Sequence, residues 1–323
     1  MKSETPVSTA ISSEKLGPPG VRGELHILGK TADDHRSDES QLYDRTERTF
    51  TVVGRLAKAP ADTEEIKGNF GPNEGSSYLL LPQEVALGRV RCAQGMFEFN
   101  KNQAGEKSIV EFECTAHDTT EARWKFQEAV LPFLDYLSYI ANVPVVVSTI
   151  RIEDRKNDRI VIEYVSPYRK VQSYPHISNL RFEMAPVYAM YREAKNSHSD
   201  FYRFLCYYKI LEGLLGKLRS DVFSRARRRG VTLSRPDETV PRDTEIPKEF
   251  QSNVGQSVKA FVDKVLTPRY RNAVAHFVTN DGSILNMSAP QHIDSYASIV
   301  YVSELCVRVV VKNHDELLQQ LHT

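Results

Sequence analysis

The period of the apolar pattern changes partway along this 323-residue chain, and the change limits the folds open to it. Up to about residue 170 the apolar residues alternate in short runs, and from about 177 they return roughly every third or fourth position. Alternation puts successive side chains on opposite faces of a strand, whereas a repeat of about 3.6 draws a stripe along a helix. The expected architecture is therefore an α+β N-terminal domain, antiparallel strands plus one helix, followed by an all-α helical bundle. Two domains also suit the length, at about 100–200 residues each.

Residues 1–46 are rich in Ser, Thr, Asp, Glu, Pro and Gly and are read as a mobile leader, with Leu25-His26-Ile27-Leu28 as its one apolar cluster and a candidate short strand. The β-rich α+β domain then occupies 47–172. Its strands are Phe50–Leu56, the alternating run Leu87–Phe99, Ser108–Cys114, Val145–Ile152 and Arg159–Val165. Asn102–Glu106 is a plausible hairpin connection and Asp154–Asp158 a polar turn. Asp118-Thr119-Thr120-Glu121 is a capping-box arrangement opening a helix with Trp124, Val130, Leu134, Leu137 and Ala141 at helical spacing. Pro132 inside it predicts a kink or a break.

The helical domain, 177–323, is expected to contain helices at Asn179–Asn196, with Pro186 as an irregularity, and at Phe201–Leu218, opened by Ser199-Asp200. Phe204, Leu205, Tyr208, Leu211, Leu214 and Leu215 give the second a broad apolar face. A polar insert at 225–250, with Pro236, Pro241 and Pro247, reads as a long loop. Ser252–Leu266 follows, ending at Thr267-Pro268, and Gln291–Gln320 closes the chain as a long helix.

Composition excludes several classes. Lys+Arg and Asp+Glu number 42 each, so the chain is no highly basic coat for nucleic acid, although a local basic patch remains open. Cys92, Cys114, Cys206 and Cys306 are scattered, with no CxxC and no His at metal-ligand spacing, which fits a reduced, cytoplasmic protein with buried thiols. Met1–Pro6 has no apolar stretch of the signal-peptide kind, and no run approaches the roughly 18–20 residues of a membrane span. Walker-type phosphate loops, HExxH and G-x-S-x-G are absent from the sequence.

The motif with chemical content is Arg269-Tyr270-Arg271-Asn272-Ala273-Val274-Ala275-His276. Arg271 and His276 stand about one and a half helical turns apart. A permanent cation beside an imidazole that titrates near neutral pH suits work on a phosphate. The same residues also fit a structural reading, in which Arg271 caps a helix end or pairs with Glu212 while His276 is a satisfied core histidine. Glu212 interrupts an apolar helix and would need a partner if buried, for which Arg271 is the candidate.

Phe204-Leu205-Cys206-Tyr207-Tyr208-Lys209-Ile210-Leu211-Glu212-Gly213-Leu214-Leu215, followed downstream by Arg271-Asn272-Ala273-Val274-Ala275-His276 and a closing helix, resembles the HEPN superfamily, and within it the ApeA-like and MauJ-like branch. The resemblance covers roughly residues 178–320. It implies a four- or five-helix bundle that forms a homodimer, bringing two R-x4-6-H motifs together across a cleft. Many such domains are metal-independent endoribonucleases of toxin–antitoxin and phage-defence systems that use no cofactor, and others bind nucleotides or partner proteins without catalysis. Arg271 and His276 fall on the two motif positions, and Asn272 on the polar residue that often follows the Arg.

If the site is active, the RNA 2′-OH attacks the adjacent phosphate, with His276 moving protons, Arg271 stabilising phosphorane charge and Asn272 orienting phosphate or imidazole. Glu212 would then support Arg271. Arg225, Arg227, Arg228 and Arg229, together with Arg269, are candidates for RNA-backbone contact, with a solvated loop as the alternative. Tyr207 and Tyr208 read as core or dimer contacts, and His292 and His314 as surface residues. The expected partners are a second copy of the chain, RNA, and an antitoxin or a partner of a β-rich sensor domain, with no membrane.

Overall fold

A computed structural model of the chain describes residues 17, 21–29, 40–57, 89–101, 107–141, 145–165, 181–278 and 282–322. They fall into two compact units, one essentially Arg22–Val165 and the other built from residues 181–287 and 291–322.

The first unit is a seven-stranded antiparallel sheet in the order β1-β7-β6-β2-β5-β4-β3. Its strands are β1 (Arg22–Leu28), β2 (Arg48–Ala57), β3 (Val90–Cys92), β4 (Gly95–Lys101), β5 (Lys107–Ala116), β6 (Val146–Asp154) and β7 (Arg159–Val165), with a short helix α1 (Ser40–Tyr43) before β2. Within the segment read as a leader, the candidate strand Leu25–Leu28 is part of an edge strand, residues 22–28, paired with β7 from Arg22↔Val165 to Leu28↔Arg159. Their partner lies far along the chain, so no local signal marks the pairing. Leu87 and Gly88 lie outside the described residues, and the rest of the Leu87–Phe99 run forms two strands, β3 and β4, turning back between Cys92 and Gly95. The Asn102–Glu106 connection lies outside the described residues, but β4 and β5 pair antiparallel on either side of it.

Helix α2 (Thr119–Ala141) opens as its capping residues require: Asp118 Oδ1 accepts from Glu121 N at 2.8 Å and Glu121 Oε2 from His117 N at 2.8 Å. Of the kink or break expected at Pro132, the break does not occur, and the helix is continuous from Thr119 to Ala141. Ala122, Phe126, Val130 and Leu134, four residues apart, are its buried stripe and share one core with Phe50, Val52, Val110 and Phe112. Gly54 allows the close approach, because a Cβ there would stand 2.7 Å from the Phe126 ring. At the sheet's end Arg48 donates to Asp154 Oδ2 from Nε (2.9 Å) and Nη2 (2.7 Å), joining β2 to β6. Burial alone would raise the Asp154 carboxyl, but Arg48 and Asn157 hold it below its ordinary value.

The second unit comprises α3 (Ala185–Asn196), α4 (Asp200–Leu215), α5 (Lys217–Arg228), α6 (Val258–Phe261), a π-helical segment Val262–Arg271, α7 (Asn272–His276) and α8 (Pro290–His322). Pro186 falls in the first turn of α3, where a missing N–H costs nothing, so it makes no irregularity. Ser199 caps α4, its hydroxyl accepting from Tyr202 N at 3.4 Å. The expected Phe201–Leu218 helix divides at Gly216, and α5 carries Arg225, Arg227 and Arg228 in its last turn rather than in a loop. From the rest of the polar insert, Val240, Ile246 and Phe250 point into the core. Among the described residues no helix is long and apolar enough to cross a membrane.

Candidate active site

The motif is carried on a helix of altered pitch. The expected stop at Thr267-Pro268 does not occur, and the chain widens into π-helical turns from Val262 to Arg271 and continues as α7. Proline in an α-helix removes a donor and crowds the carbonyl four residues back, and a wider turn relieves that crowding. Asn272 N donates to Thr267 O, five residues back. The Thr267 hydroxyl donates to Val262 O at 2.9 Å and meets the Tyr208 hydroxyl at 2.9 Å, tying this turn to α4.

Tyr270 fixes the rotation of the segment. It is 2% exposed, and its ring centroid lies 5.7 Å from Phe204 of α4 and 5.4 Å from Tyr296 of α8. Burial pushes its phenol pKa up. The Tyr296 hydroxyl donates to Tyr270 O at 2.7 Å. With Tyr270 inward, its neighbours turn towards the surface: Arg269 is exposed, its guanidinium 5.3 Å from the Tyr270 ring, and Arg271 is half-buried with its guanidinium 6.0 Å from the Tyr208 ring.

Arg271, Asn272 and His276 come together. Arg271 Nη1 lies 3.2 Å from Asn272 Oδ1 and 3.0 Å from His276 Nε2. A guanidinium can only donate, so in this contact Nε2 stands as the acceptor. His276 is exposed, so it is not the satisfied core histidine of the structural alternative. The geometry thus offers a cation in contact with both an amide oxygen and an exposed imidazole nitrogen.

Glu212 does not join them. It lies on the solvent stripe of α4 with Tyr202 and Lys209, one position round from the buried Tyr208, Leu211 and Leu214, and among the described residues it forms no ion pair with Arg271. Being exposed, it needs no partner, so the reason for expecting one falls away. The basic cluster is divided as well. Arg225 pairs with Glu183 at 2.8 Å and Arg229 Nη1 donates to Leu321 O at 3.2 Å, while Arg227 and Arg228 are exposed. None of the four makes a hydrogen bond to Arg271 or His276 among the described residues.

Tyr207 is core, its hydroxyl donating to Glu304 Oε2 at 3.2 Å, alongside Tyr191 and Lys195 on the same carboxylate. His314, expected at the surface, is 4% exposed, because its α8 face packs inward with Val310 and Leu317. The sequence does not mark Tyr270, Tyr296, Tyr208 and Thr267 as supports of this motif. The available signal was an aromatic between two arginines, which marks the inward side of a helix. No group of three or more His, Cys, Asp or Glu side chains that could hold a metal occurs among the described residues.

The family model described as methylamine utilization protein MauJ matches residues 187–312, from α3 into α8, a span that contains Arg271, Asn272 and His276. No curated protein and no solved structure matches the chain. Residues 187–312 of the helical unit are thus similar to the MauJ family.

Proposed function

We propose that the helical unit is a HEPN-type endoribonuclease whose site is Arg271, Asn272 and His276, completed by a second copy of the chain. The observation carrying this reading is the 3.0 Å contact between Arg271 Nη1 and an exposed His276 Nε2, within a span similar to MauJ, whose members are HEPN-like. His276 Nε2 takes the proton of an RNA 2′-OH, the 2′-oxygen bonds to the adjacent phosphorus, and the bond from phosphorus to the 5′-oxygen breaks. The leaving 5′-oxygen takes its proton from the imidazolium of the second copy's His276. The products are a 2′,3′-cyclic phosphate and a 5′-hydroxyl. Arg271 exchanges Nε2 for the phosphate oxygens, freeing the base as it meets developing charge. Arg269, with Arg227 and Arg228, contacts the RNA backbone. A setting in toxin–antitoxin or phage-defence biology belongs to the same proposal.

The second reading is a non-catalytic module that binds a nucleotide or protein, with the sheet as sensor. What favours it is that Arg271 already donates to both Asn272 and His276, an arrangement satisfied without substrate. Incubation of RNA with the purified protein in excess EDTA separates the two. Cleavage that disappears in His276→Ala supports the nuclease, and nucleotide-dependent thermal stabilisation without turnover supports the module.

A further inference from the structure

Helix α7 ends at Phe277 in the left-handed region, φ 62 and ψ −5. Its N–H donates to Ala273 O at 2.9 Å and its carbonyl accepts from Leu285 N at 3.1 Å, so the backbone is held from both sides. Helices ordinarily put glycine at this position, because a bulky L-residue there is strained. The chain follows that rule elsewhere in the helical unit, with Gly230, Gly255 and Gly282 at its other left-handed positions, and among the described residues the remaining exception is Asp158, a residue type that tolerates the region. Burial does not compensate Phe277: its side chain is 59% exposed and forms no ring contact among the described residues. A strained, exposed aromatic directly after His276 therefore has a cost in the free protein and no compensating ring contact among the described residues.

We infer that Phe277 is a substrate-positioning residue, a platform on which an unpaired nucleobase next to the scissile phosphate stacks. The inference rests on the nuclease reading above and adds a base-stacking contact to its site. Aromatic rings bind bases through their faces, and only an unpaired, unstacked base offers a face at an end or loop. Arg271 and His276 hold the phosphate and the 2′-OH, and Phe277, next in sequence, takes the base attached to the same nucleotide. Val278 and Ile284, which pair in an isolated β-bridge directly after Phe277, are exposed as well.

The test uses the full chain and a fluorescent, short 2′-O-methyl oligoribonucleotide, which cannot be cleaved by 2′-OH attack, either alone or annealed to its complement. Phe277→Gly should melt no lower than wild type, because glycine relaxes the backbone, yet bind the single strand about tenfold more weakly. Phe277→Trp should restore that binding, and affinity for the duplex should not change. Unaltered single-strand binding by Phe277→Gly, with wild type still cleaving RNA, overturns the stacking role and leaves the Arg271–His276 reading standing. Wild type that neither binds nor cleaves RNA defeats that reading and this inference with it. Weaker binding accompanied by a change in sedimentation of Phe277→Gly assigns the ring to contact between copies and also overturns the inference.

Discussion

Replacing His314 with Asn should flatten the acid limb of the protein's stability profile. Burial lowers the His314 pKa first, the Arg219 charge lowers it further, and Asp315 and Glu183 only partly oppose them, leaving it at about 4 against an ordinary 6.5. Arg219 Nε donates to Nδ1 at 3.4 Å and is itself paired with Glu238 at 2.8 Å, so a second positive charge there has no ready partner. Because the folded pKa is depressed, the unfolded chain binds a proton that the folded chain refuses, and stability falls as pH drops from 6.5 towards 4. The slope approaches about 1.4 kcal/mol per pH unit, and integration between pH 7.5 and pH 5 gives a loss of about 2 kcal/mol. At about 2–4 °C per kcal/mol for a unit of this size, that is roughly 4–8 °C in Tm. His314→Asn keeps a polar group near Nδ1 but cannot titrate. Urea unfolding at closely spaced pH values, followed by circular dichroism for both proteins, reads the difference directly, and groups common to both cancel. Wild type should lose its advantage over the variant below pH 6.5. Parallel curves would show that His314 is not held neutral by its surroundings, and the reasoning from its burial would be wrong.

Other expectations follow from the same packing. Glu304→Ala leaves the Tyr191 and Tyr207 hydroxyls and the Lys195 ammonium without their shared acceptor, and should cost about 3–5 kcal/mol in denaturant unfolding. Glu212→Ala should change stability by less than about 0.5 kcal/mol and leave RNA cleavage as in wild type, since the side chain is exposed on α4. A large loss of activity in that variant would return Glu212 to the site.

Sequence alone conveyed the division into sheet and helices, the α2 cap and the Arg271–His276 motif, because each of these is written in residues close together. What it did not convey depends on partners distant in the chain. Leu25–Leu28 gives a weak strand signal and becomes β1 through β7, more than a hundred residues later. Pro268 is a helix stop by local rule, but Tyr270 held between Phe204 and Tyr296, with Thr267 bonded to Tyr208, keeps the chain helical past it. Glu212 looked buried because its neighbours are apolar, yet a shift of one residue on a helix turns a side chain by about 100°. Phe277 carried no signal in sequence, since a left-handed conformation at a phenylalanine can be seen only in the backbone.

The most direct test of the Arg271–His276 site is cleavage of single-stranded RNA in excess EDTA, with chemical identification of the new ends. Wild type should give 2′,3′-cyclic phosphate and 5′-hydroxyl ends, His276→Ala and Arg271→Ala none, with all three proteins folded. Cleavage by His276→Ala at the wild-type rate, or intact RNA with the wild type, would contradict it.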